Sequence, residues 1–226
     1  MKLKTISLAT LAAFTIAGSA SAAVSIVGSG NNTGFTVSGS DLLQTQLSST
    51  TNNITLNTGE NDGWSGGATV GSLTDGLFPT SPNASTGSLN INAGDVIYTL
   101  DTSVNTLGYD LSTISIFSGW NDDGRDGINV TVSYATVASP LTFVTISTAT
   151  QDDGAAKFEN ANMAESASPF LLASGVKSIK FTFNSPENSG AGYKELDVTG
   201  VATIPEPSAA LLGGLGMLCL LRRRRA

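Results

Sequence analysis

Hydrophobic and polar residues alternate one by one over much of the middle and C-terminal parts of the chain. In INVTVSY, Ile128, Val130, Val132 and Tyr134 fall on one side and Asn129, Thr131 and Ser133 on the other, the period of two expected of a strand with one buried and one wet face. SIKFTFN repeats it, with Ile179, Phe181 and Phe183 opposed by Lys180, Thr182 and Asn184. Further strands are predicted at VIYTL (Val96 to Leu100), TISIFS (Thr113 to Ser118), LTFVTIS (Leu141 to Ser147) and ELDVTGVAT (Glu195 to Thr203). Clusters of Gly, Asn, Asp and Pro, which favour turns, separate them. Between the two ends no stretch carries a convincing amphipathic-helix pattern. Many short antiparallel strands at this length predict an all-β sandwich, most simply a jelly roll.

The ends follow a different pattern. Residues 1–22 begin with Lys2 and Lys4, continue in an apolar stretch from Ile6 to Ala17 and close on Ala20-Ser21-Ala22. This is the layout of a secretory signal helix cleaved by signal peptidase after small residues. At the other end, Ser208 to Leu221 is fourteen residues without charge, followed by Arg222, Arg223, Arg224 and Arg225. As a helix that run is about 21 Å long against about 30 Å of hydrocarbon, so it predicts a short transmembrane helix that spans poorly by itself. The arginines stay on the cytoplasmic side, which makes the segment a temporary tether for a domain facing outward. Pro205-Glu206-Pro207 precedes it, and two prolines keep that junction extended, as a chain must lie to enter a processing site. The expected division is therefore a signal peptide (1–22), an exported β-sandwich (23–203) and a C-terminal signal (204–226).

Charge sharpens this picture. The net charge of -7 over 226 residues hides an uneven distribution: residues 23–204 hold five cations against seventeen anions. Such a surface repels phosphate backbones and excludes nucleic acid as a partner, while acidic loops suit a hard cation. There is no histidine, and the one cysteine, Cys219, lies in the tail. Intramolecular disulfides, Ser-His-Asp and Cys-His nucleophile systems and zinc sites of the usual ligands are thereby excluded.

The densest polar cluster is NDDGRDG, Asn121 to Gly127. Counted as an EF-hand from Asp122, the next ligand positions hold Gly124 and Asp126 and the closing Glu falls on Ser133, so the spacing fails. Two readings remain for this loop. Arg125 pairs with neighbouring aspartates in a structural turn, or Trp120 stacks on a pyranose face while Arg125 and Asp126 bind its hydroxyls. Trp64, in NDGWSGG, either joins such a rim or covers the core. Asp122 with Asp152 or Asp153 could form a glycosidase pair; among so many loop acids coincidence is the better explanation, and an enzyme is not expected.

Two resemblances add to this. The order of Pro205-Glu206-Pro207, short apolar span and terminal arginines closely resembles the PEP-CTERM sorting signal of bacterial exported proteins. The resemblance implies processing by an exosortase, a membrane-embedded transpeptidase-like enzyme, and delivery to the cell envelope or extracellular matrix. LTDG (Leu73 to Gly76), the segment from Gly108 to Thr136 and VKSIKFTFNSPENSGAGYKELDVTG (Val176 to Gly200) together resemble the galactose-binding-like, discoidin-type β-sandwich, leaving residues 24–60 outside the match. That family often holds a structural calcium ion on an early loop carboxylate and the Glu of its final strand, which implies Asp75 and Glu195 here. The combined expectation is a non-enzymatic exported protein that binds extracellular polysaccharide or acts as a structural matrix component.

Overall fold

The computed structural model describes residues 24–56, 68–79, 87–120, 124–166, 170–184, 188 and 190–205. The expected signal helix and C-terminal membrane helix, with Glu206, Pro207 and the four arginines, lie outside the described residues, as does Trp64. None of the described helices is long and apolar enough to cross a membrane.

Among the described residues ten strands make up the fold: β1 (Val24–Asn31), β2 (Leu47–Asn52), β3 (Thr55–Leu56), β4 (Leu89–Leu100), β5 (Tyr109–Gly119), β6 (Ile128–Thr136), β7 (Val144–Gln151), β8 (Phe158–Glu165), β9 (Ala173–Phe183) and β10 (Ala191–Ala202). All pairings are antiparallel. One layer runs β1-β8-β5-β10 and the other β2-β4-β9-β6-β7. The layers join at two corners, where the start of β4 pairs with β10 and the start of β5 with β9. Alternate residues of both layers meet in one core: Leu111, Ile114, Ile116, Leu196 and Val198 from the first, Val96, Tyr98, Val130, Val132, Ile179 and Phe181 from the second. The result is the all-β sandwich that the alternation predicts.

Gly94 is the pivot between layers. β4 pairs with β10 through Leu89 to Ile91 and with β9 from Gly94 onward. Gly94 has φ +117°, and a Cβ there would come within 2.7 Å of Asn53 O and Ile54 Cα. Only glycine accepts both the backbone angle and the close approach.

The strand predicted at Leu141 starts instead at Val144. Residues 139–142 form the turn after β6, closed by Thr142 N donating to Ser139 O at 3.2 Å, and Leu141 stands 93 % exposed at its tip. β8, in contrast, carries no sequence signal. Its inward positions are Ala161 and Met163, too weakly β-forming to mark a strand against the Asn and Glu between them.

A second apolar cluster covers the outer face of the first layer. Phe35 and Phe78 cross over from the connecting segments and pack on Phe117 and Phe158, with ring centroids 5.3–6.0 Å apart. A β-bulge brings Lys194 to the same place. Tyr193 pairs with Ser118 and Glu195 with Phe117, so Lys194 is the extra residue. Its ammonium sits 5.7 Å from the Phe78 ring and 5.6 Å from that of Phe158. Burial holds its pKa down, to about 8.

Candidate functional site

The same outer face holds three buried carboxylates. Asp41 is the N-cap of a single helical turn, α1 (Leu42–Thr45), which Leu42 and Leu43 pin to the core. Its Oδ1 accepts from Leu43 N at 2.6 Å and from Val198 N at 3.4 Å. Asp197 and Glu195 come from β10, on the side turned away from Leu196 and Val198. Asp197 Oδ2 accepts from Ser38 N at 2.7 Å. Glu195 Oε1 accepts from Gly76 N at 3.1 Å and from Gln44 Nε2 at 3.4 Å. Gly76, at φ +73°, is required for that approach, since a Cβ would come within 2.6 Å of Gln44 Nε2.

Each carboxylate thus has one oxygen engaged and one left over. Asp41 Oδ2, Glu195 Oε2 and Asp197 Oδ1, together with Gln44 Oε1, are buried without a hydrogen-bond partner. One oxygen from each of the three acids lies within 4.8 Å of the others. Burial pushes Glu195 up to about 8, helped by the charges of Asp197, Asp75 and Asp41. Burial likewise raises Asp197 to about 6, with Asp41 adding to the shift, and raises Asp41 itself. Three convergent buried acids with orphaned oxygens are costly unless something positive joins them.

A hard divalent cation fits this donor set. Calcium takes oxygen ligands at about 2.3–2.6 Å, so oxygens on opposite sides of one ion stand about 4.6–5.2 Å apart, and carboxylates with an amide carbonyl are its ordinary ligands. Of the two residues expected from sequence, Glu195 is in the cluster and Asp75 is on its rim. Asp75 is exposed and spends Oδ1 on its own turn, accepting from Leu77 N at 3.0 Å. Asp41 and Asp197 take the inner places. Asp197 had a sequence signal, because it sits two residues after Glu195 on one strand face. Asp41 had only that of a helix cap before Leu42-Leu43.

Two residues of the expected sugar rim, Trp120 and Asp126, are corrected by burial. Trp120 is 4 % exposed and Asp126 1 %. Trp120 N donates to Lys157 O at 3.0 Å, and its ring lies so close to Gly192 that a Cβ there would be 2.5 Å from Cε3. Ser118 Oγ donates to Asp126 O. Arg125 is half-buried, its guanidinium 5.9 Å from the Trp120 ring centroid, and its carbonyl accepts from Gly192 N at 2.7 Å. Trp120 and Arg125 tie the end of β5 to β10, and an indole packed against Gly192 has no face to offer a pyranose. Trp120→Ala is accordingly expected to cost about 3–5 kcal/mol of stability, the range for emptying a large buried aromatic site, measurable by urea denaturation.

A separate cleft of about 450 Å³ opens beside Asp41, lined by Ser38, Thr45, Gln46, Asn105, Tyr109 and Thr199 among others. The Tyr109 hydroxyl anchors it: it accepts from Asn105 Nδ2 at 2.8 Å and lies 2.7 Å from Asp101 O and 2.9 Å from Gln46 Oε1.

Fold and site together define an all-β jelly-roll sandwich with a buried acidic cluster clamping its N-terminal segment to its last strand. Residues 203–225, directly after that strand, match the PEP-CTERM protein-sorting motif, the mark of an exported protein sorted to the cell envelope. No curated protein matches the chain. Among solved structures, the chain is similar to the CBM32-1, CBM32-2 and M60 catalytic domains from Clostridium perfringens ZmpB, at 12 % identity and a TM-score of 0.44. The similarity covers 71 % of this chain and 15 % of that one, so the chain spans about a seventh of its length.

Proposed function

We propose that the chain is a non-enzymatic structural protein of the cell envelope, exported, processed near Pro205-Glu206-Pro207 by an exosortase-like enzyme, and locked in its folded form by calcium. The observation that carries this reading is the set of orphaned oxygens on Asp41, Glu195 and Asp197. An ion there would bridge residues 38–46 to β10, holding the segment that follows the signal peptide against the strand that precedes the sorting motif. Extracellular calcium modules work at affinities of about 10⁻⁴–10⁻³ M, so a site of this kind fills only after export.

Intact mass of protein recovered from the envelope tests the itinerary. The expected product lacks both the residues up to about Ala22 and the arginines 222–225; a product that keeps the arginines overturns it.

Polysaccharide binding is a second reading, favoured by the hydroxyl- and amide-lined cleft at Gln46, Asn105 and Tyr109. Polar groups of this kind, fixed by a scaffold, match sugar hydroxyls. A glycan array with purified protein is expected to show saturable binding that falls at least about tenfold on Asn105→Ala, roughly the loss of one or two good hydrogen bonds. Absence of any glycan signal leaves the structural role alone.

A further inference from the structure

The two ends of the sandwich differ in chemistry. At one end lie the stretches 101–110, 135–145, 170–177 and 198–205, in which the only charged residues are Asp101, Asp110 and Lys177, with Asp110 Oδ1 accepting from Ser174 Oγ at 2.5 Å and from Thr203 Oγ1 at 2.6 Å. Strand pairing brings them together: Tyr109 pairs with Val176 and with Ala202, and Thr136 with Val176. At the opposite end, residues 124–127 and 152–159 carry Arg125, Asp126, Asp152, Asp153, Lys157 and Glu159.

The first of these ends presents apolar tips. Val104 is 86 % exposed, Leu141 93 %, Phe170 60 % and Ile204 76 %, with Leu107 and Val201 beside them. Isolated exposed apolar residues need no explanation, but their concentration on one face does. The face is firmly built. Ser103 N donates to Asp101 Oδ1 at 2.8 Å, Gly108 N to Asn105 O at 2.8 Å and Thr203 N to Gly108 O at 2.9 Å.

The chain leaves the domain through this face. After Thr203, held by Gly108, four residues separate the sandwich from Ser208, where the uncharged fourteen-residue run begins. Four residues reach at most about 14 Å, while the interfacial layer on each side of the hydrocarbon is about 5–8 Å deep. A tether that short holds this face within about 6–9 Å of the interfacial layer, close enough for its apolar tips to reach it.

We propose that this end is a lipid-facing surface, on which the exported domain stands against the outer leaflet while its C-terminal segment is still attached. The inference rests on the sorting reading of that segment. Hydroxyl-rich loops tipped with Val, Leu and Phe suit the headgroup boundary, where apolar side chains enter. The acidic loops then face away from the membrane.

The test uses the unprocessed protein in phosphatidylcholine vesicles, with an environment-sensitive fluorophore on a single cysteine and a quencher carried on the lipid chains. Labels at Leu107→Cys and Leu141→Cys, each with Cys219→Ser, are compared with Leu77→Cys at the other end, where Leu77 is also exposed, and with the native Cys219. Quenching at 107 and 141 is expected to be several-fold greater than at 77. Quenching at Cys219 with none at 107 and 141 overturns the proposal while leaving the tether intact. No quenching at Cys219 overturns both. Shielding at 107 and 141 that appears only with a processing enzyme or with a second copy of the chain also overturns it, by assigning the surface to a protein partner.

Discussion

Adding millimolar calcium to chelator-treated protein is expected to raise its unfolding midpoint by about 5–10 °C. At the tight end of the extracellular range, a Kd of about 10⁻⁴ M, calcium at about 10 mM is about 100 times its Kd and contributes about 2.7 kcal/mol, and each kcal/mol moves a domain of this size by about 2–4 °C. Asp197→Asn should abolish most of the calcium effect, because Asp197 Oδ1 is one of the orphaned oxygens, whereas Asp75→Asn should retain it. The pH dependence has a definite sign. Glu195 and Asp197 are raised in the folded protein, to about 8 and about 6. Without the ion, their contribution to stability is fully present below the ordinary carboxylate range and is lost as pH rises through the folded values. The slope is at most about 1.4 kcal/mol per pH unit for each group. Lys194, lowered to about 8, adds its own dependence only above that pH. The chelated protein should therefore melt higher at pH 5 than at pH 8, and the gap between calcium and chelator should widen over the same range. Identical melting curves in calcium and chelator at pH 8 would remove the metal from the account.

The second large effect is expected at Phe181. It is fully buried on β9, opposite Val96 on one side and Val132 on the other, with the Tyr98 ring 5.8 Å away. Phe181→Ala should cost about 3–5 kcal/mol through lost transfer energy and the cavity left behind. In a domain whose total stability is of order 5–15 kcal/mol, this corresponds to a fall of roughly 6–20 °C in midpoint. Leu141→Ser, at a position 93 % exposed, should stay within about 0.5 kcal/mol of the parent. That contrast separates the core from the apolar end face, since the same substitution is expected to weaken lipid contact without touching the fold. Equal destabilisation by the two changes would contradict the assignment of inner and outer positions.

How far the site was legible follows from particular residues. Glu195 stood out in the final strand, but its partner Asp41 lies 154 residues earlier, and nothing local marks it beyond a helix cap. Simple alternation along GYKELDV groups Tyr193 with Glu195 on one face. The bulge at Lys194 breaks that phase, sending Tyr193 into the core against Phe183 at 4.6 Å while Lys194 and Glu195 both turn outward. One inserted residue changes the face of everything before it, and sequence periodicity does not display the insertion. Trp120 shows the converse limit. Its neighbourhood of Asn, Asp and Gly suggested an exposed rim, yet Gly192 on a distant strand leaves room for the indole to pack inside.

By itself the sequence determined what depends on near neighbours: strands from period-two alternation, turns from Gly, Asn and Pro, and a C-terminal sorting motif from the order of prolines, apolar run and arginines. Only the tertiary structure decided which acids converge, which aromatic rings are buried and which loops share an end. Those properties arise from pairings between residues tens to more than a hundred positions apart, and the cost or gain of burying a carboxylate or an indole exists only once those partners have met.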